Sequence, residues 1–161
     1  MEDGGEKRTL GVISDTHGLV RPEAVRALDG CELIIHAGDV GKPEVLEELR
    51  EIAPVVAVRG NVDSGRWAKS LPSSEVVEVA GHLLYVLHDL GALDLDPCAA
   101  GFRVVISGHS HEPAAQEREG VLYLNPGSAG PRRFDLPICL ARLDVRRGDF
   151  LPEFVDLAPG V

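Results

Sequence analysis

Carboxylate, amide and imidazole side chains recur in this sequence just after short apolar segments. The set comprises Asp15, His17, Asp39, Asn61, His88, His109 and His111. Such groups, with no thiolate among them, suit manganese, iron, nickel, cobalt or zinc. Two aspartates, one asparagine and four histidines exceed the needs of one tetrahedral ion but suit two cations that share a ligand. The residue types therefore indicate a two-metal site, with Asp39 as its natural bridge.

Taken singly, these residues have ordinary structural explanations. A motif such as Asp15-x-His17 in a loop is more often an Asx-turn, Asp39 would equally cap the segment after it, and Asn61 suits a turn. The GHSH segment beginning at Gly108 needs irregular backbone if both rings serve one centre, and glycine permits this. The joint occurrence of all seven favours the metal site.

The spacing of apolar residues predicts the elements that position these side chains. The first half reads as a βαβαβ unit with nearly all-apolar parallel strands at Leu10 to Ile13, Leu33 to Ile35 and Val55 to Val58. Helices follow Pro22 and Pro43, where a missing N–H does no harm. The polar clusters follow the strands, and ligands of open α/β sheets bind at the carboxyl ends of strands.

After Asn61 the pattern changes to short alternating strands, which favours antiparallel pairing. Turns are expected at Ala80-Gly81, Glu119-Gly120 and Arg147-Gly148-Asp149, and a short helix is expected from Leu95 to Ala100. Helices on both faces of packed sheets give an α/β fold, here a two-sheet αββα sandwich of mixed parallel and antiparallel strands.

Length and composition narrow the functional classes. The 161 residues suit one domain, residues 1–161, with a disordered start from Met1 to Arg8. No apolar run approaches the roughly 18 residues of a membrane helix, and no secretory signal is recognisable, so we expect a cytoplasmic protein without membrane partners. A net charge of −10 argues against a long nucleic acid as partner. Cys31, Cys98 and Cys139 are expected to be small buried hydrophobic residues.

With these motifs in this order, the sequence resembles the calcineurin-like metallophosphoesterases, and most of all their small bacterial and archaeal phosphodiesterases. The motifs are SDTHG, GD, GN, a lone strand-end H, GHSH and NPGS, between Leu10 and Ser128. The resemblance implies a metallo-dependent phosphatase-like sandwich. It also implies that Asp15, His17 and His111 hold a first metal and that Asn61, His88 and His109 hold a second, with Asp39 between them.

The resemblance further implies a chemistry, namely attack on phosphorus by a hydroxide that bridges two divalent cations. Asp39, Asn61 and His88 are then the residues expected at the reacting centre. We expect manganese first, with nickel, iron, cobalt or zinc as alternatives. The expected substrate is a small phosphate ester, and a homo-oligomer is left open.

One departure from the family pattern bears on the substrate. Many members carry histidine directly after the asparagine as the presumed acid for the leaving group, and Val62 stands there in this sequence. Valine cannot donate a proton, which shifts the expected substrate from alkyl monoesters toward phosphodiesters or activated aryl phosphates. The DLG that follows His88 also departs from a common glycine-rich HG step.

Four further residues have two interpretations each. Arg59 would contact a phosphate oxygen or form a surface ion pair. Asp63 would orient a neighbouring ligand or close a turn, and His36 would support the metal site or be a core histidine bonded to backbone. Trp67 would cover the site or simply pack.

Two functions of different classes are open. The first is a binuclear metal-dependent phosphodiesterase that acts on a small substrate. The alternative is a scaffold or partner-binding protein of the same fold with a catalytically silent metal pocket, like the retromer scaffold subunit that resembles this family. Val62 favours the scaffold, whereas the intact His88 and His109 favour the enzyme.

Overall fold

A computed structural model describes residues 7–158 of the chain. The strands in this range are β1 (Arg8–Ile13), β2 (Leu33–His36), β3 (Val55–Ala57), β4 (Ser74–Val79), β5 (His82–Leu87), β6 (Phe102–Ile106), β7 (Ala114–Arg118), β8 (Val121–Asn125), β9 (Cys139–Arg146) and β10 (Asp149–Asp156). The α-helices are α1 (Pro22–Ala27), α2 (Pro43–Arg50) and α3 (Pro97–Ala100), and short 3₁₀ helices cover Trp67–Ser70 and Leu90–Ala92. A disordered start was expected from Met1 to Arg8. Residues 1–6 of this segment lie outside the described residues. The expectation is wrong for Arg8, where β1 begins.

The first sheet is built on the predicted βαβαβ unit. Strand β1 pairs parallel with β2, and β2 pairs parallel with β3. Strands β9 and β10 extend the sheet antiparallel on the other side of β1, which gives the order β10-β9-β1-β2-β3. The runs in β1 and β2 are nearly all apolar because both faces of these strands are covered.

Helices α1 and α2 cover the outer face of this sheet. Proline occupies the beginning of each helix, as predicted, where the first N–H groups have no partner within the helix. Val45, Leu46 and Leu49 form the buried stripe of α2 and belong to one core cluster with Ile34 and other residues of the sheet.

The second sheet has the order β4-β5-β6-β8-β7. The predicted turns at Ala80-Gly81 and Glu119-Gly120 join antiparallel hairpins, and both residues of each turn have the positive φ of a type I′ turn. The expectation of antiparallel pairing is wrong for the central strands, because β6 pairs parallel with both β5 and β8. Long crossover segments make parallel pairing feasible, and residues 88–101 form one of them.

The two sheets pack face to face around a buried cluster. Leu10, Val12 and Ile35 of the first sheet belong to it together with Leu84 and Val86 of the second sheet. Short helices cover the outer face of the second sheet, so the predicted two-sheet αββα sandwich is confirmed. No helix among residues 7–158 is long and apolar enough to cross a membrane.

Two smaller expectations need correction. The short helix begins at Pro97 rather than Leu95, because Asp96 accepts a hydrogen bond from Ala99 N–H and so caps the helix. Cys31 and Cys139 are buried as expected, but Cys98 is exposed. Cys98 lies on the solvent side of α3, a helix of four residues that buries only Pro97.

Candidate metal centre

The carboxyl ends of five strands bring the candidate residues to one edge of the sandwich. Asp15 and His17 follow β1, Asp39 follows β2, Asn61 follows β3, His88 follows β5, and His109 and His111 follow β6. The first three of these strands belong to the first sheet, and β5 and β6 belong to the second. Both sheets therefore contribute side chains to one cluster.

The first group in this cluster consists of Asp15, His17 and His111. One potential ligand atom from each lies within 4.8 Å of the others. Nε2 of His111 is 3.5 Å from Oδ1 of Asp15. Among the described residues, Oδ1 of Asp15 and Nε2 of His17 are buried with no hydrogen-bond partner. Buried polar atoms without a partner are costly, and a cation between them would supply the missing interaction.

The second group joins His88 and His109 to Asn61 and Asp39. Nε2 of His88 is 3.0 Å from Oδ1 of Asn61 and 3.3 Å from Oδ2 of Asp39. Nδ1 of His109 is 3.2 Å from the same oxygen of Asn61. Nδ1 of His88 donates to the carbonyl of Ala37 at 2.8 Å, so Nε2 is the ring atom that faces the two oxygens and would bind a cation when the ring is neutral. A cation suits such a set of converging lone pairs.

Asp39 links the two groups. Its Oδ1 accepts a hydrogen bond from the backbone N–H of Val62, while its Oδ2 is 3.7 Å from Nε2 of His17 and 3.3 Å from Nε2 of His88. Burial works against the ionised form, but the hydrogen bonds from His88 and Val62 N–H outweigh it and lower the pKa of Asp39 to about 2. Oδ2 of Asp39 therefore lies between imidazoles of both groups.

The carboxylate of Asp15 is held by one oxygen and free at the other. Its Oδ2 accepts hydrogen bonds from Ser14 Oγ at 2.8 Å and from the backbone N–H of His109 at 3.1 Å. Burial raises the pKa of Asp15, although the Ser14 hydrogen bond and the neighbouring imidazoles oppose the rise. The sequence analysis did not identify Ser14, because a hydroxyl beside a carboxylate is common in loops.

The pKa values of two histidines follow from the same surroundings. Burial works against protonation of His88, but hydrogen bonds to Asp39 and to the Ala37 carbonyl raise its pKa. Burial lowers the pKa of His111, and the charge of Arg133 lowers it further against the opposing effect of Asp15. A proton and a cation at the second group would therefore compete for Nε2 of His88.

The backbone at five of the seven candidates is left-handed. The φ angles are 57° at Asp15, 49° at His17, 56° at Asp39, 73° at His109 and 66° at His111. Such a conformation costs a non-glycine residue about 1 kcal/mol or more, and it is concentrated at functional sites. Three of the other four non-glycine residues with positive φ lie in hairpin turns. Strained backbone among the described residues is therefore gathered at this cluster.

Two glycines allow the loops to approach one another closely. A Cβ atom at Gly60 would overlap the backbone and the carboxylate of Asp39. A Cβ atom at Gly108 would overlap Ser14 Oγ and lie 2.7 Å from Oδ2 of Asp15. Only glycine fits at these two contacts, which bring loops of different strands together.

Asp63 ties two of the loops together. Its carboxylate accepts backbone hydrogen bonds from Val40 at 3.1 Å, Gly41 at 2.9 Å and Gly60 at 2.9 Å. The first two donors follow Asp39, and the third precedes Asn61. Asp63 thus orients the loops that carry two candidate ligands, in addition to closing its own turn.

His36 lies beneath the cluster and is fully buried. Its Nδ1 accepts from Gly38 N–H at 3.1 Å, so Nε2 carries the proton and donates to Thr16 Oγ1 at 3.0 Å. Thr16 in turn donates to the carbonyl of Val40. Burial lowers the pKa of His36 to about 3, so the ring is neutral. His36 supports two loops of the centre and is itself bonded to backbone, so both interpretations hold.

Arg59 and Trp67 have different surroundings. Arg59 is exposed and lines a cleft together with Asn61, His88 and His109. Within residues 7–158, no hydrogen bond or ion pair engages its guanidinium group. The predicted phosphate contact is therefore sterically open. Trp67 packs against the core cluster beneath the helices, which favours the packing interpretation.

Sequence comparison places these features in a family. The chain matches the model of the calcineurin-like phosphoesterase superfamily domain over residues 9–148. A probable metallophosphoesterase of Methanothermobacter thermautotrophicus is 38% identical over 153 residues, which cover 87% of this chain and 88% of that protein. Phosphodiesterase YfcE of Escherichia coli is 28% identical over 162 residues, with coverages of 81% and 84%.

Solved structures with the same fold include enzymes and a sorting protein. An archaeal phosphodiesterase superposes with a TM-score of 0.76 at 25% identity, covering 91% of this chain and 99% of the other. Vps29 of Chaetomium thermophilum superposes with a TM-score of 0.75 at 19% identity, covering 92% and 96%. At that lower identity the likeness concerns the fold alone.

Proposed function

Because the chain belongs to the calcineurin-like phosphoesterase superfamily, we propose that it is a binuclear metal-dependent phosphodiesterase acting on a small substrate. The observation that carries the proposal is the position of Asp39. Its Oδ2 lies 3.7 Å from Nε2 of His17 and 3.3 Å from Nε2 of His88, so one carboxylate contacts both groups of imidazoles. Two ions that share a carboxylate ligand need such an arrangement.

The donor set divides between two ions. In the proposal the first is held by Asp15, His17 and His111, the second by Asn61, His88 and His109, and Asp39 is shared. Imidazole and oxygen donors without sulfur make manganese the first choice, with nickel, iron, cobalt or zinc as alternatives. The bound pair would supply a hydroxide near neutral pH and neutralise charge on the phosphoryl oxygens.

The residues of the chain prepare this chemistry. Ser14 and the His109 N–H fix one oxygen of Asp15 so that the other is directed at the site. The bond from His88 Nδ1 to Ala37 keeps Nε2 available as a ligand. Arg59 is proposed to contact a non-bridging phosphate oxygen, since its guanidinium opens on the same cleft as His109.

Val62 supports a diester as substrate. Its backbone N–H binds Asp39, and its exposed side chain has no proton to donate to a leaving group. Esters whose leaving group needs no strong acid, such as aryl phosphodiesters, suit this site better than alkyl monoesters.

The test is metal-dependent hydrolysis of bis(p-nitrophenyl) phosphate. Protein stripped with a chelator is expected to be inactive and to regain activity with manganese. Asp39→Asn is expected to lower kcat by about a hundredfold or more, because losing the shared ligand separates the two ions. Asp29→Asn, a change to an exposed carboxylate in the turn after α1, is the matched control. Full activity in folded Asp39→Asn would contradict the proposal.

The scaffold alternative is favoured by one observation. Val62 exposes 45% of its surface beside Asp39, and an apolar residue there suits contact with a protein partner. Calorimetric titration separates the two functions. Two manganese ions bound per chain support the enzyme, whereas failure to bind two ions favours the scaffold.

A further inference from the structure

Two clefts open on the outer face of the second sheet, beside the proposed metal centre. One has a volume of about 260 Å³ and is lined by Leu90, Gln116 and Tyr123; we name it the Tyr123 cleft. The other has a volume of about 370 Å³ and is lined by Arg59, Ser74, Tyr85, Ala92 and Asp94; we name it the Arg59 cleft. Each is large enough for one small organic group.

A short segment lies between the two clefts. Leu90 and Leu93 pack against the apolar cluster that contains Val105 of β6, the middle strand of the second sheet. The Arg59 cleft lies over β4 and β5 on one side of this strand, and the Tyr123 cleft lies over β8 and β7 on the other. Residues 89–94 therefore form a partition that is anchored over β6.

Both clefts reach the proposed metal centre. His109 and Asp89 line both of them, and Asn61 and His88 line the Arg59 cleft. A phosphorus atom held at the second group of ligands would thus have one cleft on either side. A phosphodiester carries two ester groups that diverge from phosphorus, whereas a monoester carries only one.

We propose that the two clefts bind the two ester groups of a single phosphodiester, one group in the Tyr123 cleft and the other in the Arg59 cleft. This inference rests on the proposed function and specifies its substrate. Because residues 89–94 separate the two clefts, a diester can occupy both of them and a monoester only one, which makes the site selective for diesters.

The lining residues set the chemistry of each group. Leu90 and the half-buried Tyr123 offer carbon surface, and the guanidinium of Arg118 lies 4.4 Å from the centre of the Tyr123 ring. Carbon surface beside a cation suits an aromatic group that carries polar substituents. The Arg59 cleft offers the same combination, since Tyr85 and Ala92 line it together with the exposed Arg59 and Asp94.

Filling each cleft in turn tests the inference. Gln116→Trp is designed to occupy the Tyr123 cleft from β7, and Ala92→Trp to occupy the Arg59 cleft; both positions are exposed, so we expect both variants to fold. The matched control is Glu117→Trp, one residue further along β7, whose side chain lines a different cleft with Phe150 and Leu151. Circular dichroism and thermal unfolding check each variant.

The readout compares a diester with a monoester in manganese-loaded protein. Each filling variant is expected to lower kcat/KM for bis(p-nitrophenyl) phosphate by about tenfold or more. It is expected to change kcat/KM for p-nitrophenyl phosphate by less than about threefold, because the single ester group of the monoester can use the cleft that stays open. The control is expected to match the wild type on both. Equal losses on both esters, or no loss on the diester, would overturn the inference and leave the proposed function standing.

Equilibrium binding separates this inference from the proposed function. Diphenyl phosphate and phenyl phosphate are titrated calorimetrically into manganese-loaded protein, and each filling variant is expected to weaken binding of the diester alone. If the wild type hydrolyses neither ester but shows this binding pattern, the proposed function fails and the two-cleft inference holds. If it neither hydrolyses nor binds them, both fail.

Discussion

Asp63 shows how one carboxylate outside the ligand set governs its geometry. It accepts three backbone hydrogen bonds from two loops, and those loops carry Asp39 and Asn61. A residue that holds ligand-bearing loops typically changes metal affinity by tenfold or more when it is altered. Its role is therefore separable from that of the ligands.

Asp63→Asn is expected to weaken manganese binding by about tenfold and to lower the free energy of unfolding by about 2 kcal/mol, because an amide cannot accept all three bonds. Calorimetric titration and urea unfolding measure the two effects. Asp96→Asn, which alters a helix cap that accepts one backbone hydrogen bond, serves as control and should leave metal binding unchanged. Equal metal affinity in Asp63→Asn would show that the loops hold their geometry without it.

His36 makes stability depend on pH in a definite direction. Its pKa is about 3 in the folded chain against an ordinary value of 6.5, because burial disfavours the charged ring. Between these values the unfolded chain binds a proton that the folded chain does not, so this residue makes stability fall as pH drops from about 6.5 toward 3.

Comparison with His36→Gln isolates this contribution. The stability advantage of the wild type over the variant is expected to shrink by about 2 kcal/mol between pH 7 and pH 5. Urea unfolding in the presence of a chelator measures it, since both proteins keep all other titrating groups. A constant difference across this range would mean that the folded ring takes up the proton after all.

The seven candidate residues were recognisable from their types and from their places after apolar runs. The role of Ser14 and the left-handed backbone at Asp15 and His109 were not recognisable, because a local sequence does not indicate which loops will contact one another. Asp63 was assigned two interpretations, and only the folded positions of Val40 and Gly60 show that both apply. The chemistry of the side chains could be predicted from the sequence, whereas the contacts that orient these side chains could not.

The loops between strands and helices bring the metal-type side chains together by close backbone approach. The loop after β6 contacts the loop after β1 at Gly108, where a side chain would overlap Ser14 and the Asp15 carboxylate. The first group of proposed ligands draws on both of these loops.

Gly108→Ala is expected to displace these loops and to weaken manganese binding by about tenfold or more, since Asp15 would lose its fixed orientation. Gly120→Ala is the control, because a Cβ atom there meets nothing within 4 Å although φ is +78°. That control should cost about 1 kcal/mol of stability and no metal affinity. Manganese titration and thermal unfolding compare the two variants, and equal metal affinity would argue against a shared loop geometry.

The sequence predicted the parallel strand pairing of the first sheet but not that of the second. The β1-β2-β3 unit followed from its apolar runs, because strands covered on both faces leave a clear signal. The parallel pairing of β6 with β5 and β8 left no comparable signal in the sequence. Partner choice there depends on the crossover of residues 88–101 and on the return of β8 after β7, both of which are tertiary features.

The molecule as a whole carries a net charge of −10 and buries three aspartates, Asp15, Asp39 and Asp63, at one edge. Divalent cations bound there would neutralise part of this charge and connect loops of both sheets. Because a preformed site exists only in the folded chain, ion binding adds directly to stability.

Removal of bound manganese with a chelator is therefore expected to lower the thermal midpoint by roughly 5 °C or more, and manganese is expected to restore it. Differential scanning calorimetry measures the shift. Asp39→Asn serves as the comparison and should respond far less, because it lacks the shared ligand. A midpoint that is independent of manganese in the wild type would speak against a metal centre of this kind.

The position of β1 has a consequence for the order of folding. This strand carries Asp15 and His17 at its end, yet it pairs on one side with β2 and on the other with β9, near the opposite end of the chain. The remaining ligands extend to His111, so no short stretch of nascent polypeptide contains the complete set. Capture of both ions at the proposed site would thus be a late event, which follows long-range assembly of the loops from both sheets instead of seeding it.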